Sequence, residues 1–496
     1  MTNMTDEIRS LLKEIGAGRM SSTAYDTAWV ARLGDIDQEL SHRAMGWICE
    51  NQLLDGSWGT KEIYYYHDRV ICTLAAMIAL TYQGKRMHDK TQIEKGLQAL
   101  DYITSGATGG LAADPNGATV GFEMIVPTLV LEAERLGIIK QQGNKILGRI
   151  SRLRDLKMSR LAGKQISRHI TPAFSAEMAG KDMLHLLDVE NLQEANGSVG
   201  NSPSATAHFA LHVRPGDSKA LTYISGVMQD GAAPFAFPFD IFERSWVLWN
   251  LSLINSLDSE TRALCQPHLE FLLKAWKPER GVGFSTTYTP EDGDDSSLTF
   301  DVLSRYGKKV GIDAVLNFEE DDYFRCYPLE SNSSISVNIH VLGALRQAGL
   351  DKHHPSIKKI VNFLKRERQQ DAFWLDKWHI SPYYPTSHAI IACIDYDDEL
   401  CQSAVDWILG NQKTSGAWGS YNSLSTAEET AYCLQALQIW QAFKGNIPGG
   451  RIEQGLIWLE QNIDSPHPPL WIGKVLYSPK YVVRSAILSA LAISKQ

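Results

Sequence analysis

Three times the chain spells a glutamine, three variable residues, a glycine and then, two positions on, an apolar residue. The copies are Gln52-Leu-Leu-Asp-Gly-Ser-Trp-Gly59, Gln412-Lys-Thr-Ser-Gly-Ala-Trp-Gly419 and the degenerate Gln193-Glu-Ala-Asn-Gly-Ser-Val-Gly200. An alanine-rich apolar run follows each one, at 70–80, 430–437 and 204–211. Such an internal repeat marks a fold built by stacking one supersecondary unit. The glycine permits a tight turn, and the glutamine amide and the indole can tie neighbouring helices together. The repeat therefore predicts an all-α fold of helical hairpins arranged as α/α-barrels. It says nothing about chemistry.

The rest of the sequence agrees. Ile8, Leu11, Leu12 and Ile15 fall at helical spacing, so 5–16 reads as an amphipathic helix ending at Gly16-Ala-Gly18. Helical patterns with short Gly/Pro punctuation dominate, and strand alternation is nearly absent. A length of 496 residues suggests about two to four domains, and 44% hydrophobic residues suffice for large cores. A net charge of −9 without a basic stripe speaks against nucleic acid. Seven cysteines without C-x-x-C suggest reduced thiols rather than a disulfide framework or zinc site. The acidic, polar start is unlike a signal or transit peptide. No run approaches the ~20 apolar residues of a membrane span. A cytoplasmic location is expected.

The chemistry is concentrated in Asp292-Gly-Asp-Asp295, a loop that feeds a helix whose apolar run is Leu298-Thr-Phe-Asp-Val-Leu303. Three carboxylates this close repel one another, and partial burial adds to the effect. One pKa is driven upward, leaving a carboxylic acid that keeps its proton near neutrality. The competing reading is a plain helix cap. The same spelling recurs at Asp395-Tyr-Asp-Asp398, followed there by Glu-Leu instead of Ser-Ser, and an N-cap at Asp397 or Asp398 is expected.

The surrounding motifs favour the first copy. Asp292-Gly-Asp-Asp295 resembles the D-x-D-D signature of class II terpene cyclases, and the glutamine repeat resembles their QW repeat. Ser21-Ser-Thr-Ala-Tyr-Asp-Thr-Ala-Trp-Val-Ala31 is similar to a segment near the start of diterpene cyclases. Further matches in the same order lie at 119–127, 192–208, 234–243, 334–340 and 470–477. From about residue 20 onward the chain resembles the bacterial class II diterpene cyclases.

That resemblance implies two α/α-barrel domains with the active site between them. A γ domain, 19–258, would be inserted into a β domain made of the N-terminal helix, 1–18, and of 259–496. It implies proton-initiated cyclisation of geranylgeranyl diphosphate, with Asp294 as donor and Asp292 and Asp295 as the neighbours that tune it. Asn338 holds the position of a side chain that hydrogen-bonds the acid. A carbocation needs π faces and a dry wall, for which Trp246, Trp249, Phe284, Tyr288, Trp374 and Trp378 are candidates. The His/Asn pair of plant copalyl diphosphate synthases falls near Ala176 and Phe235 and is absent. A rearranged halimane or clerodane diphosphate is therefore expected, with His340 and Tyr477 as the terminating base. Class I metal motifs are lacking, since Asp321-Asp-Tyr-Phe-Arg325 has no final acid. The diphosphate would thus stay attached, gripped by Lys157, Lys164, Arg168 and Lys474 and by Mg²⁺ near Asp114 and Glu123. A class I synthase or phosphatase would act next, and a homodimer is admitted. The alternatives are a labdane-type (copalyl) synthase, a triterpene cyclase, an α/α-barrel glycoside hydrolase and a non-catalytic prenyl-lipid binder.

Overall fold

The computed structural model describes residues 4–493 apart from 85, 106–113, 115–116, 141, 149, 162, 331 and 422–423. Helices account for nearly all the regular structure; the strands Trp471–Ile472 and Leu476–Tyr477 form one short antiparallel hairpin.

The three repeat copies fold alike. The amides of Gln52, Gln193 and Gln412 each donate to the carbonyl of the following glycine, Gly56, Gly197 or Gly416, at 2.8 Å. These glycines have φ of +87°, +88° and +90°. A Cβ on any of them would lie 2.6 Å from a backbone oxygen of the next hairpin, at Lys95, Lys219 or Gln454. Only glycine fits such a turn. The Trp58 and Trp418 indoles donate to Ile48 and Ile408 carbonyls at 2.8 Å. The backbone N–H groups of Trp58, Val199 and Trp418 donate to hydroxyls of the following helix, on Thr73, Thr206 and Thr430.

The same hydroxyl latch occurs at three further turns. Ala233 donates to Thr27, Val282 to Ser296 and Trp374 to Thr386. At the last of these the Trp374 indole donates to Leu364 O at 2.8 Å. Trp374 is thus a repeat tryptophan.

The latched helices, together with others between them, form the walls of two rings. In the first, Ala24–Ala31, Tyr66–Gln83, Phe122–Arg135, the 3-10 segment Thr171–Ala179 and Pro203–His208 pack in sequence order, and the last closes on the first. In the second, Asp240–Ser252, Gly293–Arg305, Ile335–Gln347, Tyr383–Cys393, Ala427–Lys444 and Lys480–Ile493 close likewise. The boundary expected at 258 therefore moves: Asp240–Ser252 is a stave of the second ring, because its apolar face packs between Gly293–Arg305 and Lys480–Ile493. Met4–Glu14 lies outside this ring against Ser259–Ala275 and Lys480–Ile493.

The hairpin of the second ring reaches into the first. Gly473 O accepts from Val120 N at 2.7 Å, and Leu476 N donates to Asp68. A Cβ on Gly473 would strike the Phe235 ring at 2.1 Å. Lys474, fully buried, donates to Glu177, Ser202 and Ser204 at 2.6–2.8 Å. Its ammonium is consumed there, so it is a bolt between the rings and not the diphosphate cation that the sequence suggested.

Candidate active site

A cavity of about 400 Å³ opens where the rings meet, within the usual range for small-molecule pockets. Its walls come from both rings, and Asp292, Asp294 and Asp295 all line it.

These aspartates begin the Gly293–Arg305 helix. Asp292 is the N-cap, its Oδ1 accepting the Asp295 N–H at 2.7 Å, so it caps the helix as well as lining the cavity. Its Oδ2 and the Asp295 Oδ1 are buried with no hydrogen-bond partner among the described residues. Burial pushes the Asp292 carboxyl up to about 8, with the nearby Asp294 charge adding to it. Burial, and then the charges of Asp292 and Asp294, push Asp295 well above the carboxylate range. Asp294 differs from both. Its side chain keeps 15% exposure, and its Oδ1 lies 2.6 Å from His340 Nδ1.

His340 makes a second contact, Nε2 to His388 Nδ1 at 3.2 Å. Both ring nitrogens are engaged, and His340 does not line the cavity. The expected His340–Tyr477 base pair is corrected: His340 is the partner of Asp294. The expected partner, Asn338, instead clamps the chain at Phe324, accepting from its N–H at 2.8 Å and donating to its carbonyl at 3.0 Å. The reason is rotational. Residues two apart on the Ile335–Gln347 helix point about 200° from each other, so only one of them can face Asp294.

The apolar wall is aromatic. Phe284 stacks between Phe239 and Tyr288, with ring centres 4.2 and 4.1 Å away. Phe235 stacks on Tyr477 at 4.3 Å. Trp378 and Trp471 complete this side. Trp374, Trp246 and Trp249 do not line the cavity. Trp246 donates to the Tyr384 hydroxyl and meets His340 edge-on, while Trp249 donates to Asp301 and stacks on His388. They pack beneath the acid.

Charged groups gather where the cavity reaches solvent. Lys157 pairs with Glu123 at 3.0 Å, their side chains 31% and 12% exposed. Arg160 donates to Glu330 O at 2.7 Å. Lys377 pairs with the Glu330 carboxylate and donates to Asn332 O. Arg160 and Lys377 were not expected. Arg160 was detectable, since it stands three residues after Lys157 on one helix. Lys377 precedes Trp378 and lies 5.0 Å over its ring.

Other candidates fall outside the cavity. Lys164 is exposed and Arg168 donates to Gln193 O; neither is a lining residue. Asp114 is buried as a cap, accepting from the N–H groups of Tyr66 and His67 at 3.0 Å and pairing with the His67 ring at 2.5 Å. Both its oxygens are engaged in the cap, and it does not line the cavity.

The arrangement can deliver a proton from a half-buried carboxyl into an aromatic chamber while cations at the entrance hold an anionic group. Residues 328–464 match the squalene-hopene cyclase C-terminal domain. The chain is 49% identical to the type B diterpene cyclase of Mycobacterium tuberculosis over 98% of its own length and 99% of that protein's. It is 32% identical to ent-copalyl diphosphate synthase 1, chloroplastic, of Oryza sativa subsp. japonica, over 77% of this chain and 44% of that protein. The solved structure of ent-copalyl diphosphate synthase from Streptomyces platensis superposes with a TM-score of 0.79, covering 99% of this chain and 100% of that one, at 24% identity. With near-complete coverage at that first level of identity, the chain belongs to the class II diterpene cyclases.

Proposed function

We propose that the enzyme converts geranylgeranyl diphosphate into a rearranged bicyclic diterpenyl diphosphate, of halimane or clerodane type, with Asp294 as the proton donor. The observation that carries this is the position of Asp294. It is the one aspartate of the trio held by a histidine, and it faces a chamber walled by Phe235, Phe239, Phe284, Tyr288 and Tyr477. An alkene is a very weak base, so its protonation requires a positioned acid in a site that excludes water. Asp294 gives its proton to the terminal double bond; the π electrons of the next two double bonds then attack in turn, each π bond broken forming one ring bond, and the positive charge is left on the bicycle. The aromatic faces stabilise the migrating positive charge.

Lys157, Arg160 and Lys377 receive the diphosphate at the entrance. Mg²⁺ suits this end, because it commonly binds through one or two carboxylates plus substrate phosphates. Glu123 is the residue that would hold it, and when bound the ion offsets diphosphate charge.

The rearranged skeleton follows from what stands around the first bicyclic cation. Ala176 and Phe235 supply no base and no ligand for a water at the plant positions. The cation survives to undergo hydride and methyl shifts. Tyr477 lines this chamber; burial keeps it a neutral phenol, whose oxygen lone pair takes the final proton from the strongly acidic carbocation and passes it on to the diphosphate or to solvent. A second enzyme would then remove the diphosphate. Incubation with geranylgeranyl diphosphate and Mg²⁺, then phosphatase treatment, mass spectrometry and NMR, tests the reading. A halimane or clerodane alcohol is expected. An unrearranged labdane would overturn the product assignment, and uncyclised geranylgeraniol from folded enzyme would overturn the function.

A further inference from the structure

Behind the Asp294–His340 pair lies a residue with no assigned role. His388, on the Tyr383–Cys393 helix, is 2% exposed, and its Nδ1 faces His340 Nε2 at 3.2 Å. Its ring is enclosed by Trp249, stacked at 4.5 Å, by Tyr384 at 4.4 Å and by Tyr432 at 5.6 Å. Its other nitrogen, Nε2, is buried with no hydrogen-bond partner among the described residues. Burial, and then the neighbouring His340 and His379, hold this imidazole well below the usual histidine range, so it carries one proton.

That single proton has two addresses. On Nε2 it would be a buried N–H with nothing to accept it, which is rare and costly in folded proteins. On Nδ1 it is donated to His340, and only a spare acceptor is left inside, a lesser penalty. The choice propagates. If His388 Nδ1 donates, His340 Nε2 must accept, and the His340 proton sits on Nδ1, where it donates to Asp294 Oδ1. The alternatives are an Asp294 that gives its proton to His340 and a charged His340. Both need His340 Nε2–H to point at His388, and both push the His388 proton onto its orphan nitrogen.

We propose that His388 is a positioning residue for the acid: by donating to His340 Nε2 it fixes the His340 tautomer and leaves the Asp294 proton on Oδ2, the oxygen that His340 does not occupy. The apolar cage around His388 is what enforces this. It denies the imidazole pair any route to a second proton, so the acid cannot discharge into its own partner. The proposal rests on Asp294 being the donor.

The test separates the two ideas. Asp294→Ala measures the donor assignment alone. His388→Phe keeps a ring but removes the donor, and His388→Asn keeps a donor near the Nδ1 position. With geranylgeranyl diphosphate and Mg²⁺, His388→Phe is expected to lower kcat about 10–100-fold, the usual cost of losing an orienting partner. KM should not change, because His388 does not line the cavity. His388→Asn should recover most of kcat. Independently, ¹⁵N-histidine NMR of the wild-type protein, with His340 assigned by difference from His340→Gln, should show His340 protonated on Nδ1 and bare on Nε2. Wild-type kcat in His388→Phe, an Asn variant as slow as the Phe variant, or a His340 protonated on Nε2 would each overturn the proposal. An inactive Asp294→Ala beside a fast His388→Phe sinks only the role of His388; an active Asp294→Ala sinks the donor assignment beneath it.

Discussion

Two segments of this chain share one spelling and have opposite electrostatics. Asp292-Gly-Asp-Asp295 and Asp395-Tyr-Asp-Asp398 both supply the N-cap of an inner or outer helix, through Asp292 to the Asp295 N–H and through Asp397 to the Leu400 N–H. In the second copy every carboxylate meets a cation. Asp395 pairs with Arg346, Asp397 with Lys365 and Asp398 with Lys444, at 2.5–2.7 Å. In the first copy the trio meets no lysine or arginine among the described residues, and only a histidine approaches. Asp397 is accordingly held below the carboxylate range, burial being outweighed by Lys365 and the Leu400 N–H, whereas Asp292 is pushed up. What makes an acid of a D-x-D-D segment is the cations that its surroundings withhold.

Asp294→Ala against Asp397→Ala should break the comparison most widely. The first is expected to lower kcat by about 10²–10⁴-fold. The second should leave turnover unchanged and lower unfolding free energy by about 0.5–2 kcal/mol, the usual cost of a lost cap. A catalytic loss confined to the Asp397 variant would reverse the assignment of the two segments. Next in size, His340→Phe should lower kcat about 10²-fold, as removal of one preorganised hydrogen bond does, while the product skeleton is unchanged. A new skeleton at full speed would restore His340 as the terminating base.

Stability against pH gives opposite signs for the two segments. A buried Asp292 whose folded pKa is raised binds its proton more tightly folded than unfolded. Its contribution is complete below the unfolded pKa near 4 and is lost as pH climbs toward about 8. Asn caps as well as Asp, so Asp292→Asn should gain on wild type between pH 5 and 8.5. Asp397 has a lowered folded pKa. Its contribution is present above the unfolded pKa and disappears as pH falls through the folded one. Asp397→Asn should therefore be the weaker protein at pH 7 and should close the gap on wild type as pH falls below the unfolded pKa near 4. Urea midpoints at these pH values are the measurement, and parallel slopes for the two variants would contradict it. The smallest effect belongs to Lys365→Met, with a loss of about 0.2–1 kcal/mol and no change in kcat.

The scaffold was readable where a turn kept both its glutamine and its glycine. Gly56, Gly197 and Gly416 exposed three repeats, even where Val199 replaced the tryptophan. The copy at Trp374 was hidden because Gln370 and Asp371 take up the positive φ, +48° and +55°, without glycine. Trp374 was consequently read as cavity lining. The aspartate loop was legible because three like charges are local. The His340–Asp294 contact was not, since it joins two helices 46 residues apart in sequence. A one-dimensional pattern also could not say which of Asn338 and His340 turns inward. Lys474 and Asp114 look like solvent-facing charges in sequence; their burial depends on Glu177 and His67, which are far away along the chain.

The bolt at Lys474 bears on how the enzyme breathes. To let the two rings swing apart, a buried ammonium and the Glu177 carboxylate would have to separate inside an interior that offers no water. Breaking such a pair typically costs about 3–5 kcal/mol, so a hinged-open form would be a minor species of about 1% or less. Traffic into and out of the chamber must then use the rim at Lys157, Arg160 and Lys377, with local side-chain motion as the gate. Amide exchange should find the 473–476 backbone among the slowest in the molecule and the 157–160 turn among the fastest; equal rates would mean that the halves do part.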